Sequence, residues 1–180
     1  MKAKMTLLLG FIFLAAAFPP AVVPQAQDAK IGKGDAAITR SFASPTLRPG
    51  DTWKIYLKAS APQGEMKNIY ALVDQPGVGP YPVSIVGIQQ ENNKELSGYI
   101  YLNTATPRVS LEFVALNLTV QIQDALGNFS RAVVFPLSFS SRAAQEVPPP
   151  GVFAEQDLGP IMVTLRIVDE EGPDQRRRRK

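Results

Sequence analysis

Residues 118–139, LTVQIQDALGNFSRAVVFPLSF, carry the pattern on which the fold turns. Leu116, Leu118, Val120 and Ile122 alternate with Asn117, Thr119, Gln121 and Gln123. After a short loop, Val133, Phe135, Leu137 and Phe139 alternate again. A period of two puts the apolar set on one side of an extended chain and the polar set on the other, the mark of a half-buried strand. Between the runs, Asp124-Ala-Leu-Gly-Asn128 raises two readings, an acidic metal loop or a hairpin turn. Gly127 and Asn128 tolerate positive φ and Asp124 can accept from nearby backbone N–H groups, which favours the turn. Pro136 falls on the outward side and lacks an N–H, which suits an edge strand rather than a central one.

The same alternation recurs upstream. Trp53, Ile55, Leu57 and Ala59 share one face of 52–59, opposite Thr52, Lys54, Tyr56 and Lys58. Ile69, Ala71 and Val73 alternate in 66–73, and Tyr99 and Tyr101 oppose Gly98, Ile100 and Leu102 in 96–102. Residues 37–42 and 83–88 are shorter strand candidates, and 108–115 (RVSLEFVA) fits either a strand or a helical turn. Pro45–Asp51, 75–82 and 91–94 have turn composition. Seven or eight short strands punctuated every 8–12 residues indicate an all-β, antiparallel sandwich.

Downstream, 141–159 reads as a Pro-rich linker, with Pro148-Pro-Pro150 at its centre. An extra C-terminal strand is expected at 160–168, where Ile161, Val163, Leu165 and Ile167 alternate with Met162, Thr164 and Arg166. Such a strand either folds back on an exposed sheet edge, the favoured reading, or adds to a partner's sheet. The charged 169–180 tail is expected to be disordered.

The N-terminus places two lysines before an uncharged run from Met5 to Phe18, followed by Pro19 and Pro20. This is the layout of a secretory signal, assigned to 1–26 with cleavage near Ala26; cleavage after Ala17 is the other site. Residues 27–43 then form a flexible segment and the first strand. The prolines make the run a poor bilayer span, so an uncleaved N-terminal membrane anchor is the lesser alternative. The absence of cysteine removes disulfide frameworks and thiolate metal sites, and in an exported chain it fits a bacterial periplasmic or secreted protein. The net charge of +3 is misleading: five of the 19 basic residues are Arg176–Lys180, and Lys2 and Lys4 belong to the signal. The rest is mildly acidic, so no nucleic-acid partner is expected.

Two segments carry a resemblance. Asp124-Ala-Leu-Gly-Asn-Phe-Ser130 between alternating strands resembles the last hairpin of bacterial immunoglobulin-like domains. Pro49-Gly-Asp-Thr-Trp-Lys-Ile-Tyr-Leu-Lys-Ala-Ser-Ala-Pro-Gln-Gly-Glu65 resembles the second strand and turn of bacterial Ig-like, PKD-like and cadherin-like domains. The resemblance covers residues 44–140 and implies an adhesive, spacer or partner-binding module. Calcium-binding relatives carry several aspartates in that turn, whereas Ala61–Glu65 holds one carboxylate, so a metal site does not transfer.

The chain contains no histidine, which removes the commonest general base and most zinc chemistry. Its carboxylates are scattered over strand ends and turns, and Gly77-Val-Gly79-Pro opens no helix that could cradle phosphate. The expectation is a non-enzymatic envelope interaction or structural module with no cofactor. The alternative is a carbohydrate-binding or accessory domain using outward tyrosines, Tyr56, Tyr70, Tyr99 and Tyr101. Cross-strand aromatic pairing, which stabilises any sheet, is the favoured account of those tyrosines. The partner is expected to be an envelope protein, or an anionic surface met by Arg176, Arg177, Arg178, Arg179 and Lys180.

Overall fold

The two alternating runs form adjacent strands, β8 (Ala115–Asp124) and β9 (Val133–Phe139), paired antiparallel from Ala115↔Ser138 to Val120↔Val133. The computed structural model describes residues 36–105, 111 and 114–166. Residues 1–35, the expected signal among them, most of 108–115, Ile167, Val168 and the 169–180 tail with its basic cluster lie outside the described residues.

Eight further strands complete the described chain. They are β1 (Ala37–Ala43), β2 (Thr46–Leu47), β3 (Thr52–Ser60), β4 (Met66–Gln75), β5 (Gly79–Pro80), β6 (Ser84–Gly87), β7 (Glu95–Asn103) and β10 (Asp157–Pro160). The only other regular element described is a 3-10 turn at Gln90–Asn92. No described helix is long and apolar enough to cross a membrane.

The strands make two sheets, one ordered β1-β3-β7-β10 and one ordered β2-β9-β8-β4-β5, with β6 also on β4. One hydrophobic cluster draws on both: Trp53, Ile55 and Leu57 from β3, Ile100 and Leu102 from β7, Ile69 and Val73 from β4, Leu118 and Ile122 from β8. Each such side chain contributes about 1.5–3 kcal/mol by leaving water, so this shared core is what holds the sheets together. Trp53 is fully buried, and its indole N–H donates to the Ser44 carbonyl at 2.9 Å.

The all-β expectation holds, but the sheets are mixed rather than purely antiparallel. β2 runs parallel to β9, and β10 runs parallel to β7. Both connections cross between regions distant in sequence, which a hairpin cannot do. Pro136 sits opposite Asn117 on β9, and two-residue β2 covers only Ser138 and Phe139 on the other side. The missing N–H therefore falls where β9 is locally an edge, as its chemistry requires.

The C-terminal strand differs from its expected position. The ladder occupies Asp157–Pro160, not 160–168, and described residues 161–166 form no strand. Their alternation is nevertheless real, since Ile161 and Leu165 are buried and Met162 is exposed. After Ile161 N donates to Tyr101 O, the backbone finds side chains instead of a neighbouring strand. Met162 N bonds Ser84 Oγ at 2.8 Å and Arg166 N bonds Tyr81 Oη at 2.7 Å, while Gln75 Nε2 bonds Arg166 O at 2.8 Å. Residues 157–166 thus run from the β7 edge of one sheet to β4 and the β6 region of the other, pairing within the chain.

Candidate functional site

Cross-strand registers place three of the four outward tyrosines together. Tyr56 on β3 pairs with Tyr99 on β7 and with Phe42 on β1, and Lys54 pairs with Tyr101. Directly paired residues share a face. Ring centroids are 5.5 Å apart for Tyr56–Tyr99, 6.5 Å for Tyr99–Tyr101 and 6.4 Å for Phe42–Tyr56. The Lys54 ammonium lies 4.1 Å from the Tyr99 ring centroid, within cation–π range.

This aromatic bed is covered by the segment that reads as a linker. Arg48 Nε donates to Ala143 O at 2.8 Å, and Glu146 N donates to Ser44 Oγ at 3.0 Å. Further on, Ala154 N donates to Ser97 Oγ at 2.9 Å, Phe153 packs 5.7 Å from Tyr56, and Tyr99 N donates to Gln156 O at 2.8 Å. Residues 141–156 are therefore a strap on the outer face of the four-stranded sheet. Composition marks Pro-rich segments as extended, but it does not reveal where they lie.

Tyr56 is only 6% exposed beneath the strap. Desolvation, then the hydrogen bond to Glu155, raises its phenol pKa above the usual value. Lys54 is shifted upward too: desolvation is its largest single influence and lowers it, but the Glu155 hydrogen bond and the nearby Tyr56, Tyr99 and Glu155 together outweigh that.

Tyr70 stands apart from the other three, on β4 in the six-stranded sheet. Its ring meets Phe129 edge-to-face at 4.9 Å, and its hydroxyl donates to Gln123 Oε1 at 3.1 Å. Asn68 Nδ2 donates to the same oxygen at 3.2 Å. Phe129 bridges Gln123 across the hairpin, so it faces outward beside Tyr70. Pairing extends this face in rows: Ile85–Tyr70–Gln121, Leu72–Thr119–Val134 and Asp74–Asn117–Pro136. Ile85, Phe129 and Val134 are about half exposed or more. Asp74 is the one member of these rows that is charged at neutral pH. Sequence reasoning found Tyr70 but not Phe129, because a loop residue has no strand parity until its bridge is known.

The Asp124 loop is a turn with its own hydrogen-bond supply. Oδ1 accepts from Leu126 N and Asn128 N at 2.9 and 2.8 Å, and Oδ2 accepts from Asn128 Nδ2 at 3.0 Å. Gly127 takes φ 89°, the left-handed conformation that the turn demands. Ala125 N donates to Glu65 O at 2.8 Å, so the hairpin lies against the 61–65 turn. No group of three metal-ligating side chains occurs among the described residues.

The sheet edges are guarded. β1 has a register irregularity between Ile38 and Arg40, and Arg40 is exposed there. β10 carries Gly159 and Pro160, and β2 and β5 have two residues each. Bulges, charge, proline and short length all discourage strand addition. The basic cluster Arg176–Lys180 is outside the described residues. No protein-family model matches this chain, and no curated protein matches it.

Proposed function

We propose that this chain is an exported, immunoglobulin-like interaction or structural module of a bacterial cell envelope, which acts by binding rather than by catalysis. Its contact surface is the outer face of the six-stranded sheet. The observation that carries this reading is the asymmetry of the two outer faces. The strap covers the four-stranded face with Phe153 and Glu155, whereas the other face leaves Ile85, Phe129 and Val134 to solvent. Exposed apolar side chains set among polar groups on one open face are where soluble domains meet partners. The guarded edges argue against recognition by strand addition. Export is supported by the signal-like N-terminus and the absence of cysteine, and the Arg176–Lys180 cluster supplies a second, electrostatic hold on an anionic envelope surface.

A photo-reactive residue placed at Val134 tests the reading in intact cells, with a second at strap residue Val147 as control. Adducts to an envelope component from position 134 and not from 147 are expected. Adducts from 147 alone would move the contact to the strap, and protein retained in the cytoplasm would remove the export assignment.

A further inference from the structure

We propose that the outer face of the six-stranded sheet binds a neutral polysaccharide, which rests on the reading that this face is the contact surface. The first reason is charge. Its rows mix aromatic, amide, hydroxyl and aliphatic side chains, and their one group charged at neutral pH, Asp74, lies at an end. Within the rows an anionic polymer meets a carboxylate and a cationic one has a single partner, while exposed Lys67 and Arg131 lie beside the rows rather than in them. A neutral chain has nothing to lose.

The second reason is the pairing of chemistries. Each pyranose ring has an apolar C–H face and a rim of hydroxyls, and it therefore needs an aromatic surface beside hydrogen-bonding groups. Phe129 is 49% exposed and braced edge-to-face by Tyr70. Beside them, Gln121 Nε2 is held by Ser130 O at 3.0 Å, which fixes the amide and directs its oxygen. Gln123 Oε1 is held by both Asn68 and Tyr70. Amides already fixed in place lose little freedom when a ligand arrives. Half-buried Thr119 and exposed Asn117 add a hydroxyl and an amide one and two same-face positions further along β8 from Gln121.

The third reason is shape. Free small molecules bind in concavities that bury most of their surface. A sheet face is open and extends over several rows, at about 4.8 Å between strands and about 6.8 Å between successive same-face residues. That surface suits a polymer that contacts many rows at once, rather than a monosaccharide.

The test is affinity electrophoresis of the full chain in native gels cast with a neutral β-glucan, a galactomannan or a mannan, and with polygalacturonate as the anionic control. Retardation in at least one neutral gel and none in polygalacturonate is expected. Phe129→Ala and, separately, Thr119→Lys should each weaken it about tenfold with an unchanged urea midpoint. Thr119→Lys leaves the aromatic pair intact, so loss in both variants is not a folding artefact. The proposal falls if no neutral polymer retards the chain, or if retardation survives both variants. It also falls if the face instead pairs two copies, seen as dimerisation lost in the same variants. Should polysaccharide binding fail while Val134 still cross-links an envelope protein, the face assignment stands and the glycan alone is wrong; failure of both removes the face.

Discussion

The Glu155 carboxylate accepts the Tyr56 hydroxyl at 3.0 and 3.2 Å, tying the C-terminal strap to the sheet beneath it. Lys54 Nζ stands 3.3 Å from the same carboxylate, but that ion pair is well exposed and adds little. Glu155→Gln keeps the shape and weakens the acceptor. Urea unfolding at pH 7 should show a loss of about 0.5–1.5 kcal/mol, the usual worth of one hydrogen bond. Adding Phe153→Ala in the same background should expose Tyr56, read as faster iodination of that phenol than in the parent.

The same cluster sets the alkaline limit. Tyr56 and Lys54 both hold their protons more tightly folded than unfolded. As pH rises past the unfolded values, near 10 for tyrosine and 10.5 for lysine, the unfolded chain loses those protons first. The unfolded state then binds fewer protons, so stability falls with rising pH. Their contribution is fully present below those values and disappears as pH passes through the raised folded ones. The urea midpoint should drop from about pH 10 upward. Glu155→Gln should make that drop shallower, because it removes a partner that raises both groups.

Gly98 admits the strap. A Cβ there would stand 2.5 Å from Gln156 O and 2.9 Å from Leu158 Cγ, with backbone as the nearer neighbour. The requirement is space, since Gly98 is not among the positive-φ glycines. Gly98→Ala should destabilise by about 1–3 kcal/mol, the cost of overpacking. Limited proteolysis should then cut within 141–160 sooner than in the parent.

Gly98 also marks the limit of what is legible in the sequence. Alternation located β3, β4, β7, β8 and β9 and the core side of each, because burial of one sheet face imposes period two on every such strand. Tyr56, Tyr99 and Tyr101 fell on one outer face for the same reason. Periodicity carries no information about which strands are neighbours, so it could not separate Tyr70 from the other three. It also could not seat the 141–156 strap, which single hydrogen bonds hold, one donated by Arg48 and others accepted by Ser44 and Ser97. The shift of the last strand to 157–160 has the same origin. Tyr81 and Ser84 serve as side-chain acceptors for 161–166, and such partners leave no repeating pattern.

Asp124 contributes to the acid limit. The Asn128 side-chain amide lowers its pKa most; desolvation opposes this, and the backbone N–H groups of Asn128, Leu126 and Gly127 reinforce it. A carboxylate with a depressed folded pKa stabilises the fold above the unfolded value, and that stability is lost as pH falls through the folded one. The urea midpoint should therefore begin to fall as pH drops through the ordinary carboxylate value near 3.8 and go on falling toward the depressed folded one. Asp124→Ala should lower the midpoint at pH 7 and flatten this acid limb. An unchanged acid limb would mean that other carboxylates dominate it.

Removing everything after Ser141 asks whether the C-terminal region is a passenger or part of the fold. Ile161 is 3% exposed and Leu165 6%, both in the shared core, and Leu158 packs against it. Losing two buried aliphatic side chains withdraws about 3–6 kcal/mol at 1.5–3 kcal/mol each. It also strips the β7 edge of its neighbour and uncovers Tyr56, Tyr99 and Tyr101. A small domain is stable by about 5–15 kcal/mol in total, so the truncated chain should unfold at much lower urea or fail to fold. Adding back a peptide of residues 142–168 should restore the midpoint in a concentration-dependent manner, since it binds only the folded body. Unchanged stability after truncation would show that the strap and β10 contribute nothing to the fold, and would return the C-terminal strand to pairing with a partner.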